Sequence, residues 1–243
     1  MSLRRRPSGE NSEATQGGKV SPLPSSMCGI YASISRRKDL PLSETLRDHL
    51  VNRGPDHIGS LQETINAGGQ ADVYLTCVAT VLSLRGHGIT QQPLVSEATS
   101  SILCWNGEAW TINGSSISGN DGAAVLEALD SAAGQEATLD VLRAIEGPFA
   151  FIYYDRRDGR VYFGRDRLGR RSLLVRDEDE DDFVLSSVAD PGVPGWVEVE
   201  ADGLYVLDVK SLGDVVPGSI SMRVAERHGW LPEGHEEYVS RHG

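Results

Sequence analysis

The order of patterns along the chain predicts an α+β fold built of packed layers. Three observations point there. Short apolar runs rich in β-branched and aromatic residues follow residue 28 and recur before residue 210. Two helix-period segments lie between them. Strands and helices do not alternate, so a parallel doubly wound sheet is not expected.

The elements follow in order. Residues 28–35 are apolar and β-branched enough for a buried strand. Ser43 is placed to cap a helix running to about Val51, with Leu46 and Leu50 on one face. Residues 74–82 and 102–105 read as strands. Asn106-Gly107-Glu108 comes next. Asn-Gly between apolar runs predicts a two-residue hairpin turn into 109–112. The same pair could donate a side-chain amide and a backbone N–H to a developing oxyanion, and the two readings are compatible. Asp121 is expected to cap an Ala-rich helix ending near Gly134, where its carboxylate could also receive a substrate ammonium group. Thr138 is expected to cap a second helix ending at Gly147, with Leu139, Leu142 and Ile145 facing inward. Short strands are expected at 149–154, 161–165, 172–175, 183–187 and 204–209. The acidic run 177–182 reads as a solvated loop. From Lys210 to Gly243 no periodicity is evident, so this tail carries no structural expectation.

Composition narrows the function classes. A chain of 243 residues with 39% hydrophobic content suits one domain of about 180 residues plus tails, or two small ones. A net charge of −12 disfavours a nucleic-acid or anionic-membrane partner. No apolar run approaches the ~20 residues that span a bilayer. Three cysteines without a C-x-x-C spacing argue against a disulfide framework and a zinc site, so no metal is expected and a reducing, cytoplasmic compartment is the simplest reading. Cys77 and Cys104 sit in apolar strands and are expected in the core. Residues 1–26 hold six Ser, three Pro and Arg4-Arg5-Arg6, and read as a disordered extension or as a start placed upstream of the true initiator, Met27.

Cys28 carries most of the chemistry. It lies in Met27-Cys28-Gly29-Ile30-Tyr31-Ala32. A chain begun at Met27 would lose that Met and expose Cys28 as its first residue. Its thiol is then the nucleophile and its α-amine the base, directly or through one water. Their reference pKa values, about 8.5 and 7.7–8.0, put both near the useful range. Within a longer chain Cys28 has an amide nitrogen and no base. Arg53-Gly54-Pro55-Asp56, after the first helix, reads as a turn whose Arg and Asp could form a supporting ion pair.

Together these elements resemble the class II (N-terminal nucleophile) glutamine amidotransferase domain, of the asparagine synthetase kind. The resemblance rests on Met27-Cys28-Gly29-Ile30, Arg53-Gly54-Pro55-Asp56, Gln92-Pro93-Leu94, Trp105-Asn106-Gly107-Glu108, Glu146-Gly147-Pro148-Phe149, Phe163-Gly164-Arg165-Asp166 and Leu185-Ser186-Ser187, and it covers about 28–210. It implies the four-layer αββα sandwich of N-terminal nucleophile hydrolases. It also implies that Cys28 forms a γ-glutamyl thioester and releases ammonia. Asn106 and Gly107 match the oxyanion hole, and Glu108 and Asp121 match positions that hold the amino end of glutamine. One position departs: Val81 stands where an arginine of an R-L-S-I motif binds the α-carboxylate. Arg85, four residues on, is the expected substitute, with Arg53 the other candidate. No phosphate loop of a synthetase domain occurs through Gly243, so ATP and Mg are expected only with a synthetase domain elsewhere, and the ammonia would pass to such a domain or to a partner protein. The retained Cys28, Asn106, Gly107 and Asp121 favour a glutaminase. Val81 and the extension favour a catalytically silent binding or regulatory module.

Overall fold

The computed structural model describes residues 27–38, 40, 42–66, 72–82, 89–176, 182–214 and 225–231. Its organising strand is β1 (Gly29–Ser35), in which side chains alternate between two destinations. Ile30, Ala32 and Ile34 enter the core between two sheets, whereas Tyr31 packs outward against a helix. That period of two is what a strand requires when both faces are covered.

The first sheet has the order β13 (Val197–Glu198), β11 (Leu174–Arg176), β12 (Asp182–Ser186), β1, β3 (Val73–Val81), β2 (His57–Ile65). The second runs β15 (Glu226–Gly229), β14 (Gly203–Asp208), β10 (Arg160–Arg165), β9 (Phe149–Asp155), β5 (Ile102–Gly107), β4 (Leu94–Val95). All their pairings are antiparallel. A small third sheet joins β7 (Ser115–Ser116), β6 (Thr111–Ile112) and β8 (Ile145–Glu146).

The two large sheets bury one apolar core between them, to which β5 and β9 contribute Ile102, Cys104, Ala150 and Ile152. The alternate residues of the same strands, Leu103, Trp105, Phe149, Phe151 and Tyr153, face the other way. They meet α2 (Asp121–Ser131) and α3 (Gln135–Arg143) through Val125, Leu129, Leu139 and Leu142. On the far side, α1 (Glu44–Arg53) lays Leu46 and Leu50 on Tyr31 and Val78. The layers are therefore helix, sheet, sheet, helix, and the α+β expectation holds. Each fully buried aliphatic or aromatic side chain contributes roughly 1.5–3 kcal/mol by leaving water.

Several local expectations are corrected. Asn120, not Asp121, caps α2, its Oδ1 accepting the Ala123 N–H at 2.8 Å. Gly134 precedes α3, and Thr138 lies inside that helix, its hydroxyl donating back to the Gly134 carbonyl at 3.0 Å. The helix ends at Arg143 rather than at Gly147, because Ile145–Glu146 leaves to pair with β6. Strand β2 was not anticipated. Its residues alternate between exposed and half-buried, as expected for an edge strand with a weak apolar signal. Asn106-Gly107 is not a hairpin turn, since both residues close β5 and pair with Ala150 and Phe149. Asp182 is no loop residue: its carboxylate is buried at the start of β12, where the Ser35 hydroxyl donates to it at 2.5 Å and Arg37 pairs with it. Residues 177–181 of the acidic run lie outside the described residues. The tail after Lys210 supplies a 3-10 turn (Lys210–Asp214) and then β15, which extends the second sheet beside β14.

Candidate active site

Cys28 sits half-buried one residue ahead of β1, at the end where α1 abuts β3. Two networks fix it there. The Gly29 N–H donates to the Thr80 hydroxyl at 3.0 Å, and that hydroxyl donates to the Leu50 carbonyl at 2.7 Å. A side chain at Gly29 would place its Cβ 2.4 Å from the Thr80 oxygen, so only glycine permits this stitch between β1, β3 and α1. The Ile30 N–H donates to the Ser187 hydroxyl at 3.0 Å, and the Ser187 N–H returns a bond to the Ile30 carbonyl at 2.9 Å.

Arg53, the last residue of α1, braces Cys28. Its Nε donates to the Cys28 carbonyl at 3.3 Å, and Nη1 donates to the Ser172 hydroxyl at 3.1 Å and to the Ser187 carbonyl at 3.2 Å. Its Nη2 reaches the Met27 sulfur at 3.5 Å. All three nitrogens are thus engaged by protein atoms. Burial lowers the Arg53 pKa from its ordinary value, and the like charge of Arg171 adds to this.

The thiol of Cys28 is pushed above its ordinary pKa, mainly by burial. The Leu82 backbone opposes this through a hydrogen bond, the charge of Asp121 reinforces it, and those of Arg53 and Arg171 oppose it. Cys28, Arg53, Asp121 and Arg171 therefore share one electrostatic neighbourhood.

Asn106, Gly107 and Glu108 are held as a unit at the end of β5. The Asp121 carboxylate clamps both flanks through one oxygen, which accepts from the Trp105 indole Nε1 at 2.9 Å and from the Ala109 N–H at 2.9 Å. The Gln92 amide oxygen accepts the Trp105 N–H at 2.8 Å. The Glu108 N–H donates to the Pro148 carbonyl at 2.9 Å. Gly107 lies against Phe149 so closely that an added Cβ would sit 2.6 Å from the Phe149 Cα. The turn at 146–148 is itself braced by Asp166, which accepts from the Phe149 and Arg170 N–H groups at 3.1 Å each and pairs with the Arg170 guanidinium at 2.8 Å. Arg170 in turn donates to the Gly147 carbonyl at 2.6 Å.

Within this scaffold the Asn106 side chain is 0% exposed, and among the described residues neither its amide nitrogen nor its oxygen has a hydrogen-bond partner. A buried amide without partners costs about 1–3 kcal/mol, a cost that a fold tolerates where a ligand completes it.

The structure thus brings together Cys28, Arg53 and Asp121, and Asp121 ties them to Asn106, Gly107 and Glu108. Arg85 lies outside the described residues. Val81 is packed at the end of β3, opposite His57 and beside Pro55. Arg171, Ser172, Ser187 and Thr80 were not singled out from the sequence as site residues. Ser187 occurs in a segment that carries the resemblance, but nothing there marks it, or Arg171-Ser172, as a neighbour of Cys28. Among the described residues no three His, Cys, Asp or Glu side chains cluster as metal ligands, and no helix is long and apolar enough to cross a membrane.

Residues 27–202 match a family model described as a glutamine amidotransferase domain. The chain is 33% identical over 224 residues to the human asparagine synthetase domain-containing protein 1, covering 88% of this chain and 32% of that protein. It is 33% identical over 195 residues to the protein of the same name from Bos taurus, covering 76% of this chain and 29% of that one. The chain therefore spans about a third of the length of these relatives. Among solved structures, the glutamine phosphoribosylpyrophosphate amidotransferase from B. subtilis superposes with a TM-score of 0.55 at 15% identity, over 84% of this chain and 49% of that one. That likeness is one of fold.

Proposed function

The chain belongs to the glutamine amidotransferase domain family, and from that premise we propose that it hydrolyses glutamine to glutamate and ammonia with Cys28 as nucleophile. The observation that carries this reading is the buried amide of Asn106, without a hydrogen-bond partner among the described residues and held by the Asp121 clamp in the neighbourhood of the Cys28 thiol.

The chemistry runs as follows. The Cys28 sulfur attacks the side-chain carboxamide carbon of glutamine, and its proton passes to the α-amine of Cys28 in a chain that begins there. The carbonyl oxygen becomes an oxyanion, stabilised by the Asn106 side-chain N–H and the Gly107 backbone N–H. The tetrahedral intermediate collapses with return of the proton to the nitrogen, so that ammonia leaves and a γ-glutamyl thioester remains. Water then attacks the thioester, the thiolate leaves and regains a proton, and glutamate is released. Arg53 holds the Cys28 carbonyl still. Asp121 and Glu108 offer negative charge to the substrate ammonium, although one Asp121 oxygen is already engaged by Trp105 and Ala109. The raised thiol pKa makes a local base necessary at neutral pH, which is why the free amine matters. The ammonia acceptor is a synthetase domain or partner protein, and ATP and Mg belong to that part.

The test is ammonia release from glutamine by protein beginning at Cys28, by the same protein with Cys28→Ala, and by the chain beginning at Met1. Activity confined to the first, with N-terminal sequencing of natural protein giving Cys-Gly-Ile-Tyr, supports the reading. No ammonia from the folded Cys28 form, or natural protein still joined through Ser26–Gly29, would leave a catalytically silent binding or regulatory module as the better account.

A further inference from the structure

The charges of two guanidinium groups, Arg53 and Arg171, act on the Cys28 thiol, and the two are not equivalent. Arg53 has Nε and Nη1 committed to Cys28, Ser172 and Ser187, while Nη2 reaches Met27, a contact that a chain beginning at Cys28 gives up. Arg171 differs: among the described residues its Nε is buried and has no hydrogen-bond partner. Its main chain is nevertheless fixed, since its carbonyl accepts from Arg165 Nε at 2.6 Å. The next residue, Ser172, donates to the Ser187 carbonyl at 2.8 Å while receiving Arg53. The Arg171 side chain is therefore carried on a rigid segment that is already part of the nucleophile's frame. Its charge reaches both Cys28 and Arg53.

Two like charges in a half-buried site repel, and a partnerless buried N–H is costly. Both penalties disappear if an anion enters. A carboxylate fits best, because a guanidinium offers it parallel N–H donors. Val81 cannot serve: its side chain is apolar and 5% exposed.

We infer that Arg171 is the residue that binds the α-carboxylate of glutamine, in place of the arginine expected at position 81. The inference rests on the glutaminase reading and adds a binding residue to it. In the protein beginning at Cys28, Arg53 keeps the bonds of Nε and Nη1 to Cys28, Ser172 and Ser187, and Arg171 completes its own with the substrate. The specificity that follows is for a free α-carboxylate over an α-carboxamide.

The experiment uses protein beginning at Cys28, with glutamine and glutaminamide (the α-carboxamide) as substrates. Arg171→Gln should raise the KM for glutamine about 10–100-fold, change kcat by only a few-fold, and leave the KM for glutaminamide unmoved. Arg171→Lys should recover part of the glutamine affinity. Titration calorimetry of Cys28→Ala protein, with and without Arg171→Gln, reads the same difference without turnover and on samples shown by circular dichroism to be folded. An unchanged glutamine KM and affinity in Arg171→Gln, with the parent protein active, overturns the role of Arg171 and leaves the glutaminase intact. Equal weakening toward glutamine and glutaminamide overturns it as well, since a structural defect would do that. A parent protein that neither binds nor hydrolyses glutamine removes the glutaminase reading, and this inference with it.

Discussion

At the scale of single residues, the site contains a reluctant acid and a waiting donor. Burial holds the Cys28 thiol above its ordinary pKa, and the Asp121 carboxylate adds to that. A raised value means that the neutral thiol persists across neutral pH and the thiolate fraction grows only as pH climbs. In the chain beginning at Met1, alkylation of Cys28 by iodoacetamide should therefore accelerate about tenfold per pH unit from pH 7 to 9 with no plateau. Asp121→Asn should speed it at fixed pH by removing one of the opposing charges. A plateau below pH 8 would show the thiol to be activated without its amine. Cys77 and Cys104, buried in the core between the sheets, should not react in the folded protein. For the donor, Asn106→Ala should lower kcat for glutamine about 10²–10³-fold with little change in KM. Because the Asn106 amide has no partner among the described residues, its removal costs no protein hydrogen bond, and urea-unfolding stability should fall by less than about 1 kcal/mol. A large loss of stability with unchanged kcat per folded molecule would make Asn106 a structural residue only.

At the scale of elements, the strands and helices do two jobs at once, and this decides what the sequence could reveal. The apolar, β-branched run at 28–35 and the Ser43 cap with Leu46 and Leu50 are local signals, and β1 and α1 formed as expected. Asn106-Gly107 misled because its local preference is a turn, whereas pairing with Ala150 and Phe149 on β9 overrides it. Position 121 misled differently. Asp is favoured as a cap, yet Asn120 takes that role and frees the Asp121 carboxylate for Trp105 and Ala109. Arg171 had no local mark at all, because its neighbours Cys28 and Arg53 are distant in sequence and only the sheet topology brings them near. The glycine that joins β1 to α1 gives a sharper expectation. Gly29→Ala would push a methyl group into the Thr80 hydroxyl and the Leu50 carbonyl, 2.4 and 3.0 Å from an ideal Cβ. Relief requires parting β1 from α1, so the variant should lose about 1–3 kcal/mol in urea unfolding and most of its activity. An unchanged unfolding midpoint would mean that the contact is easily relaxed.

At the scale of the whole molecule, the layered fold explains why so distributed a set of residues converges: Cys28 leads into β1 of the first sheet, Asn106 and Gly107 close β5 of the second, and helical layers cover both from outside. The outer layers also make the protein alkali-sensitive. Tyr153 on β9 and Tyr162 on β10 face each other in register, with ring centroids 6.0 Å apart, in the cluster beneath α2 and α3. Burial pushes each phenol up to about 12. In the unfolded chain both titrate near 10. Below pH 10 both states keep the protons and stability is unaffected. Between 10 and 12 the unfolded state releases protons that the folded state retains, so folding stability falls with rising pH. The slope is about 1.4 kcal/mol per unit for each tyrosine, a loss of roughly 2–3 kcal/mol apiece by pH 12. Urea-unfolding free energies measured from pH 8 to 12 should be level at first and then decline. Tyr153→Phe and Tyr162→Phe should each lessen the decline, and the double variant should flatten it most, because a ring without a phenol has no proton to lose. An equal decline in the double variant would place the alkaline weakness elsewhere, with Tyr205 on β14, whose phenol is also raised by burial, the next group to replace.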